Sequence, residues 1–530
     1  MNIRILDCTL RDGGYVNQWN FGKKVIKSVV KKLECANVDI IECGFLTTLK
    51  TDENYSLFSE VTEIKEILFP KRKQTMYVAM IAIGKDAIHP SKLPEYDNES
   101  IDGIRLTFHQ YEIEQAIEWA NIIIEKGYKI FMQPVGTVLY SDYELLKLIE
   151  QMNELQPYAF YIVDTLGGMH RDELLHTFYL IDNNLKYGIH VGFHPHNNLQ
   201  LAFSNAQELS KIQTKRTILI DSSIYGMGRG AGNLPTELIT QYINVNIGMK
   251  YTVTEILAAY DEYISFLHNE YKWGYTMAYY IAANYICHPD YASFLLNKQT
   301  LTMEDIEKII IAIPQKHRAL YNKVLIEELY VNYQNKAIKD NDAIAQIVEL
   351  LEEKEILILA PGKSLLTQQD NIQTYISQHK PYVISVNFID ESMNINACFI
   401  SNHKRRKNLE IELENLENII AIATSNIEVN TRVERIYVDY FSYINCDEMV
   451  FDNAGLMLLK LLMKCNAKKI TLAGFDGFKN RYNDNYYSKD LILQVNDSEL
   501  VERQHRIKWE IDRIKKLVEV NFLTSSVYEE

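Results

Sequence analysis

The sequence predicts an α/β protein with an N-terminal (β/α)₈ barrel, a helical extension and a C-terminal Rossmann-like α/β domain. Three observations support this prediction. Short apolar runs alternate with helical patterns from residue 3 to about residue 225, polar or glycine-rich segments follow the first, seventh and eighth runs, and a second β/α pattern starts near residue 350. Strands that alternate with helices imply βαβ units and a parallel sheet.

Eight apolar runs in the first part of the chain are predicted to be strands, because each is short and bounded by polar or turn residues. They are Ile3–Cys8, Val38–Cys43, Met76–Ala82, Gly103–Phe108, Lys129–Gln133, Ala159–Val163, His190–Phe193 and Thr217–Asp221. Eight βα units over roughly 250 residues are what a TIM barrel requires. A doubly wound open sheet is the alternative, but only a closed barrel makes strands one, seven and eight neighbours.

Residues beyond the barrel are divided by their patterns into two further parts. We predict a barrel domain over residues 1–250, a helical extension and linker over 251–345, and a Rossmann-like domain over 346–530. The predicted strands of the last part are Ile356–Leu359, Tyr382–Val386, Ala397–Ile400, Ile419–Ala423, Arg435–Val438 and Lys469–Leu472, with a helix over Gly455–Met463.

Composition limits the classes of function. The formal net charge of -15 over 530 residues argues against a broad nucleic-acid surface. The seven cysteines form no CxxC pair, so neither a disulfide framework nor a zinc ribbon is indicated. The N-terminus enters a strand directly and no long apolar run exists, so we expect no signal peptide, no membrane span and a cytoplasmic location.

Polar residues after three predicted strands can form one metal site. Asp12 follows the first strand, and His194 and His196 alternate at the end of the seventh, so both imidazoles point to one side. Asn233 follows the glycine-rich segment behind the eighth strand. Each of these features has an alternative interpretation when it is taken alone. Asp12 could be a turn residue, and the two histidines could face solvent. The glycine-rich segment could bind a phosphate.

The chemistry of this ligand set favours hard or intermediate cations. Two imidazole nitrogens, a carboxylate and an amide oxygen suit Mn²⁺ or Mg²⁺, with Co²⁺ and Zn²⁺ as alternatives. No thiolate is needed, and we interpret Cys8 and Cys43 as small buried hydrophobic residues.

These segments resemble the metal-dependent aldolase–lyase–synthase superfamily of TIM barrels, which includes 4-hydroxy-2-oxovalerate aldolase, 3-hydroxy-3-methylglutaryl-CoA lyase and isopropylmalate synthase. The matching residues are Thr9–Gly13, the His194–Asn198 segment and Gly228–Asn233, in order and over roughly residues 1–290. The closest similarity is to 4-hydroxy-2-oxovalerate aldolases.

The resemblance implies roles for individual residues. Asp12, His194 and His196 would bind the divalent metal, with Asn233 joining them or lying close. Arg11 would stabilise the enolate oxygen as a carbon–carbon bond breaks or forms. Three residues at the ends of later strands would bind substrate, namely Glu42, Gln133 and Asp164.

One position departs from those aldolases. Tyr15 stands where they carry a histidine used in acid–base chemistry. Tyr15 acting through a bound water is one candidate for this role, and His109, just past the fourth strand, is another. A surface position at a helix start is the alternative interpretation of His109.

The C-terminal part contains a candidate ligand loop. Residues 356–365 form a strand, a glycine turn and a helix start, so Gly362, Lys363 and Ser364 can face a phosphate at a helix N-terminus. The segment is not a Walker A loop, because position 357 is Leu. A role in oligomerisation or docking is the alternative.

The sequence therefore predicts a divalent-metal-dependent aldolase that acts on a small 2-oxo acid, with a nucleotide or phosphorylated ligand at the C-terminal domain and a role in surface-polysaccharide or unusual-sugar synthesis. A Claisen-type synthase that joins an acyl-CoA to a 2-oxo acid is one alternative. The other is a non-catalytic, metal-containing scaffold that binds a sugar or nucleotide. We expect a homo-oligomer, as is common for such proteins.

Overall fold

The computed structural model describes residues 2–49, 52–478, 485–488 and 497–529, without the side chains of 497–499. The chain forms two compact units. The first comprises Met1–Ser293 and Ile313–Tyr321, and the second comprises Phe294–Ala312 and Asn322–Glu530. The segment predicted as a separate helical extension is helical, but its residues are shared between the two units.

Eight parallel strands of the described residues close into a barrel in the first unit, as predicted. The order β1-β9-β8-β7-β6-β5-β4-β2 closes where β1 pairs with β2, Leu6 opposite Ile40, and the short β3 extends the sheet beside β2. These strands are β1 Asn2–Asp7, β2 Ile40–Leu46, β3 Leu57–Phe58, β4 Met76–Ala82, β5 Gly103–Phe108, β6 Lys129–Pro134, β7 Ala159–Asp164, β8 His190–Pro195 and β9 Thr217–Ser222. Each predicted strand is present within a few residues of its predicted bounds.

Amphipathic helices cover the outside of the barrel. Helix α2, for example, buries Ile26, Val29, Val30 and Leu33, the spacing that lines one helical face. The helices of this part are α1 Gly14–Asn17, α2 Lys23–Cys35, α3 Val61–Leu68, α4 Ile113–Glu125, α5 Asp142–Leu155, α6 Arg171–Asn184, α7 Ala202–Lys211 and α8 Thr236–Asn246. Next come α9 Val253–Ala259, α10 Ser265–Glu270, α11 Met277–Asn284, α12 Pro289–Asn297, α13 Met303–Ile311, α14 Gln315–Arg318, α15 Lys323–Gln334 and α16 Asn341–Leu351.

The barrel topology positions the predicted site. Strand β1 pairs with β9, and β9 pairs with β8, all in parallel. The segments that follow these three strands therefore lie at one end of the barrel, the carboxyl end at which barrel enzymes carry their sites.

The second unit contains an open parallel sheet of seven strands among the described residues. The order is β14-β13-β12-β11-β10-β15-β16, so the direction of strand succession reverses between β10 and β15. The strands are β10 Ile356–Leu359, β11 Tyr382–Val386, β12 Ala397–Ile400, β13 Ile420–Thr424, β14 Glu434–Val438, β15 Lys469–Ala473 and β16 Glu519–Phe522. All six predicted strands are present, and β16 is an addition.

Helices flank this sheet, and the predicted helix over Gly455–Met463 lies within α20. The helices are α17 Ser364–Thr367, α18 Gln369–His379, α19 His403–Glu414, α20 Ala454–Lys464 and α21 Asp497–Lys515. Within the described residues, every helix is too short or too polar to cross a bilayer.

Candidate metal centre and active site

The three segments predicted to form one site meet at the carboxyl end of the barrel. Ligand atoms of Asp12, His194 and His196 all lie within 4.8 Å of one another, and the three side chains are buried. Asp12 is held in a tight turn after β1, where its N–H donates to the carbonyl of Cys8 at 2.8 Å. His194 and His196 leave the end of β8 on the same side, as their spacing predicts.

Asn233 lies directly beside this cluster. Its Nδ2 donates to Asp12 Oδ2 at 2.7 Å and to the carbonyl of Met227 at 3.1 Å. Its buried Oδ1 has no hydrogen-bond partner among the described residues. A side chain at Gly228 would place Cβ 2.4 Å from Asn233 Nδ2, so only glycine fits against the cluster there.

The cluster fits a divalent cation. Burial lowers the pKa of His196 to about 3, so its imidazole is neutral. Burial opposes ionisation of Asp12, but the adjacent Arg11 guanidinium, together with the hydrogen bond from Asn233, holds the pKa of its carboxyl well below its usual range. A metal requires an ionised carboxylate and imidazoles without extra protons. Three of the four predicted ligands thus lie together, and Asn233 lies against Asp12 through its Nδ2.

His194 is oriented by Asp221, a residue that the sequence analysis did not identify. Asp221 Oδ2 lies 2.9 Å from His194 Nδ1, whereas Nε2 faces Asp12 Oδ1 at 3.9 Å. A carboxylate on the distal nitrogen of a metal-binding histidine fixes its tautomer and ring orientation. Nε2 is therefore the nitrogen available to a metal.

Arg11 lies against the same cluster. Its Nε donates to Glu42 Oε2 at 2.8 Å, and Nη1 donates to Asp12. Its Nη2 is buried and has no hydrogen-bond partner among the described residues. The guanidinium is thus fixed by two carboxylates and retains donors for an anionic ligand beside Asp12.

Arg105 connects the two sides of the site inside the barrel. It is fully buried and pairs with Glu42 through Nη1 and with Asp221 through Nη2. When the side-chain amide of Gln133 is oriented so that its oxygen faces Arg105, that oxygen accepts a hydrogen bond from Arg105 Nε at 2.7 Å. Buried charges persist only when they are paired. A charged residue within the apolar strand β5 is the sequence signal for this network.

A cavity of about 350 Å³ lies next to the side chains of Asp12, His194 and His196. Arg11, Tyr15, His109 and Gln133 line it, so these predicted residues face the same space as the cluster. Glu42 instead supports Arg11 and Arg105 from below. The fold also uses the Asp164 carboxylate, which accepts from the N–H groups of Gly168 at 3.1 Å and Met169 at 3.2 Å. These hydrogen bonds stabilise the turn after β7, and neither Glu42 nor Asp164 lines the cavity.

Three further polar residues line the cavity and were missed by the sequence analysis. They are Arg229, His288 and Asp290. Arg229 belongs to the glycine-rich segment, and His288 and Asp290 lie at the start of α12. Burial lowers the pKa of His288 well below its usual value, with Arg229 adding to the effect. No local motif marks His288 and Asp290, whereas the glycine-rich segment was the signal that could have identified Arg229.

The second unit has its own cavity, of about 220 Å³, near the carboxyl end of β10. Gly362 lines it, but Ser364 is engaged by protein groups: its N–H donates to Asp476 Oδ2 at 2.7 Å and its hydroxyl donates to Asp476 Oδ1. The carboxylate occupies the position predicted for a phosphate at this helix start. The basic residues lining the cavity are instead Lys298, Arg405 and Arg503.

Comparison with known proteins agrees with this geometry. Residues 108–261 match the HMGL-like family. A 4-hydroxy-2-oxovalerate aldolase from Geobacillus genomosp. 3 is 27% identical over 246 residues, which are 46% of this chain and 70% of that protein. The one from Pelotomaculum thermopropionicum is 29% identical over 243 residues, 45% of this chain and 68% of that protein.

Among solved structures, the N-terminal domain of a candidate aldolase from Bacteroides vulgatus is 25% identical and aligns with 57% of this chain and 99% of that chain, at a TM-score of 0.47. The family match lies within the barrel part of the sequence. Part of the barrel, residues 108–261, is therefore similar to the HMGL-like family, and about half of the chain is similar to proteins named 4-hydroxy-2-oxovalerate aldolase.

Proposed function

We propose that the protein is a divalent-metal-dependent carbon–carbon lyase that cleaves a small 4-hydroxy-2-oxo acid. The observation that carries this proposal is the position of Arg11. Its guanidinium has an unpartnered, buried Nη2 and lies directly beside the cluster of Asp12, His194 and His196. A structural metal would not require an arginine in this place, whereas an enolate does.

The cleavage step can be assigned to residues of this chain. A base removes the 4-hydroxyl proton, the C3–C4 bond breaks to give an aldehyde, and its electrons form the enolate of the 2-oxo acid. A donor then protonates C3. The fixed guanidinium of Arg11 stabilises the developing negative charge, an effect on the order of 3–4 kcal/mol for a preorganised donor.

We assign His109 as the base and Tyr15 as the donor, because both line the cavity. Burial lowers the pKa of His109, so its imidazole is unprotonated at neutral pH and can accept a proton. Burial raises the pKa of Tyr15, so the phenol keeps the proton that it would donate.

The residues that would hold the metal are Asp12, His194, His196 and Asn233. When bound, Mn²⁺ or Mg²⁺ supplies Lewis-acid polarisation of the 2-oxo group, with Co²⁺ and Zn²⁺ as alternatives. Asp221 contributes by presenting His194 Nε2.

The test combines Mn²⁺ titration with proton exchange of pyruvate. In D₂O with Mn²⁺, the protein should exchange the methyl protons of pyruvate and release pyruvate from 4-hydroxy-2-oxopentanoate. Both reactions and Mn²⁺ binding should be lost in His194→Ala and retained in His176→Ala, an exposed histidine of α6. Tight Mn²⁺ binding without exchange or pyruvate release would refute the lyase, and release of free CoA in the presence of an acyl-CoA would indicate a condensing enzyme.

For the second unit we propose a Rossmann-like domain that binds a nucleotide or another phosphorylated ligand. Its cavity lies where the strand order reverses, the place where open parallel sheets bind ligands. Burial lowers the pKa of Lys298, which means that its charged form is destabilised. A bound anionic ligand would stabilise that charged form. Titration with a nucleoside diphosphate should show binding weakened in Lys298→Gln and retained in Lys407→Gln. No binding by the unaltered protein would contradict the proposal.

A further inference from the structure

Arg229 lines the barrel cavity together with Arg11. Unlike Arg11 and Arg105, it forms no ion pair with a carboxylate of the described residues. Arg11 and Arg105 each pair with two carboxylates. For Arg229 the described residues provide no carboxylate within ion-pair distance, and its buried Nε has no hydrogen-bond partner. The guanidinium stacks on the ring of Tyr15, whose centroid lies 4.8 Å from the guanidinium carbon.

The backbone that carries Arg229 is fixed. The carbonyl of Arg229 accepts from the N–H of Gly232 at 3.0 Å, and the N–H of Ala231 donates to Asn198 Oδ1 at 2.9 Å. The neighbouring Gly228 packs against Asn233 and Asp12. Arg229 therefore directly follows a residue that packs against Asp12, and its side chain lines the cavity from a loop that hydrogen bonds hold in place.

The surroundings favour an anion at this position. Burial lowers the pKa of His288 well below its usual value and the charge of Arg229 adds to this effect, so the His288 imidazole remains uncharged. Asp290 also lines the cavity, but its carboxylate lies beyond ion-pair distance from Arg229, with Oδ2 3.7 Å from His288 Nδ1. Asp290 and Arg229 interact only over a longer distance. A half-buried guanidinium without an ion-pair partner is costly, and a bound carboxylate or phosphate would offset that cost.

The 2-oxo acid end of the substrate has other partners. In the proposed function, a metal held by Asp12, His194 and His196 and the Nη2 of Arg11 would bind its keto oxygen and carboxylate. Arg229, Tyr15 and His288 line the same cavity of about 350 Å³ and are not needed for these contacts. Arg229 is thus placed for the other half of the substrate, the half released as an aldehyde.

We propose that Arg229 binds a second anionic group, a carboxylate or a phosphate, on the aldehyde half of the substrate. The substrate is then a 4-hydroxy-2-oxo acid that is charged at both ends. This inference rests on the proposed lyase function and adds the chemical class of its second product, an anionic aldehyde. Arg229 is the residue that determines this specificity.

The test uses aldol addition of pyruvate, the reverse of cleavage, with matched aldehydes. Propanal is compared with succinic semialdehyde, and glyceraldehyde with glyceraldehyde 3-phosphate. A charge-assisted hydrogen bond corresponds to a preference of about ten- to a hundredfold in kcat/KM for the anionic aldehyde. That preference should fall to about one in Arg229→Gln, recover partly in Arg229→Lys and stay intact in Arg171→Gln, an exposed arginine of α6.

The outcomes separate the two proposals. Comparing the preference for succinic semialdehyde over propanal with that for glyceraldehyde 3-phosphate over glyceraldehyde shows whether a carboxylate or a phosphate is preferred. Equal kcat/KM for charged and neutral aldehydes in the unaltered protein, or an anion preference that survives in Arg229→Gln, would overturn this inference and leave the lyase intact. A raised KM for pyruvate with every aldehyde would assign Arg229 to the 2-oxo acid end instead. Absence of pyruvate methyl exchange would overturn the lyase, and this inference with it.

Discussion

Asp221 Oδ2 lies 2.9 Å from His194 Nδ1 at the bottom of the candidate metal centre. This contact makes Nδ1 the donor and leaves Nε2 directed toward Asp12. The same carboxylate pairs with Arg105, which also pairs with Glu42 beneath Arg11. The orientation of a metal ligand and that of the proposed enolate-stabilising arginine are thus set by one buried network.

Asp221→Asn should weaken Mn²⁺ binding by about 10- to 100-fold, the usual cost of losing a carboxylate behind a metal-binding histidine. Isothermal titration of the metal-stripped protein measures this effect. Asp7→Asn is a matched control, because Asp7 is also buried in the barrel but contacts Thr9 and Thr236 instead of the network. Unchanged affinity in a folded Asp221→Asn protein would show that Asp221 does not orient His194.

Arg11→Gln should separate metal binding from chemistry. Loss of the guanidinium removes a positive charge that competes for Asp12, so Mn²⁺ affinity should be retained or increased. Pyruvate methyl exchange should fall by about 10²–10³-fold, as for the loss of one preorganised donor. Exchange is followed by NMR at saturating Mn²⁺. A parallel loss of Mn²⁺ binding and exchange would assign Arg11 to the metal site alone.

Tyr15→Phe and His109→Gln should affect different steps. Removal of the proposed donor, Tyr15, should slow pyruvate methyl exchange, which requires proton transfer at C3. Removal of the proposed base, His109, should slow cleavage of 4-hydroxy-2-oxopentanoate by about 10²–10⁴-fold and exchange much less. Comparing the two rates in both variants tests the assignment. Equal effects on exchange and cleavage in both variants would contradict it.

The barrel was predictable because strands buried on both faces are continuous apolar runs. Strands β3 and β16 were missed for physical reasons. The first has two residues, and the second alternates exposed Glu519 and Asn521 with half-buried residues. The short, half-polar pattern of β16 differs little from that of a loop.

The candidate metal-binding cluster of Asp12, His194 and His196 was predictable because each residue follows a strand end, where side chains converge. Asp221 and Arg105 were not, because their pairing joins residues 116 positions apart. A charge within an apolar strand signals that a partner exists but does not identify it. Similarly, nothing local in the sequence indicates that His288 would face the cavity, or that Asp476 would occupy the helix start at Ser364.

The last prediction concerns the dependence of stability on pH. Burial raises the pKa of Asp7 from 3.8 to about 6, although Thr236 and Thr9 donate hydrogen bonds to it. Between these values the folded protein holds a proton that the unfolded chain has released. The free energy of unfolding therefore falls as pH rises through this window, by up to about 3 kcal/mol, and the loss is complete above about pH 6.

Asp7→Asn should remove this dependence, because an amide is neutral at every pH and can donate to Thr236, whose hydroxyl also contacts Ser222. The variant should gain about 1 kcal/mol relative to the unaltered protein between pH 5 and pH 7.5, measured by urea unfolding with a chelator present. Asp172→Asn, at an exposed position in α6, should show no such gain. An equal difference at both pH values would mean that Asp7 is already ionised in the folded barrel at pH 5.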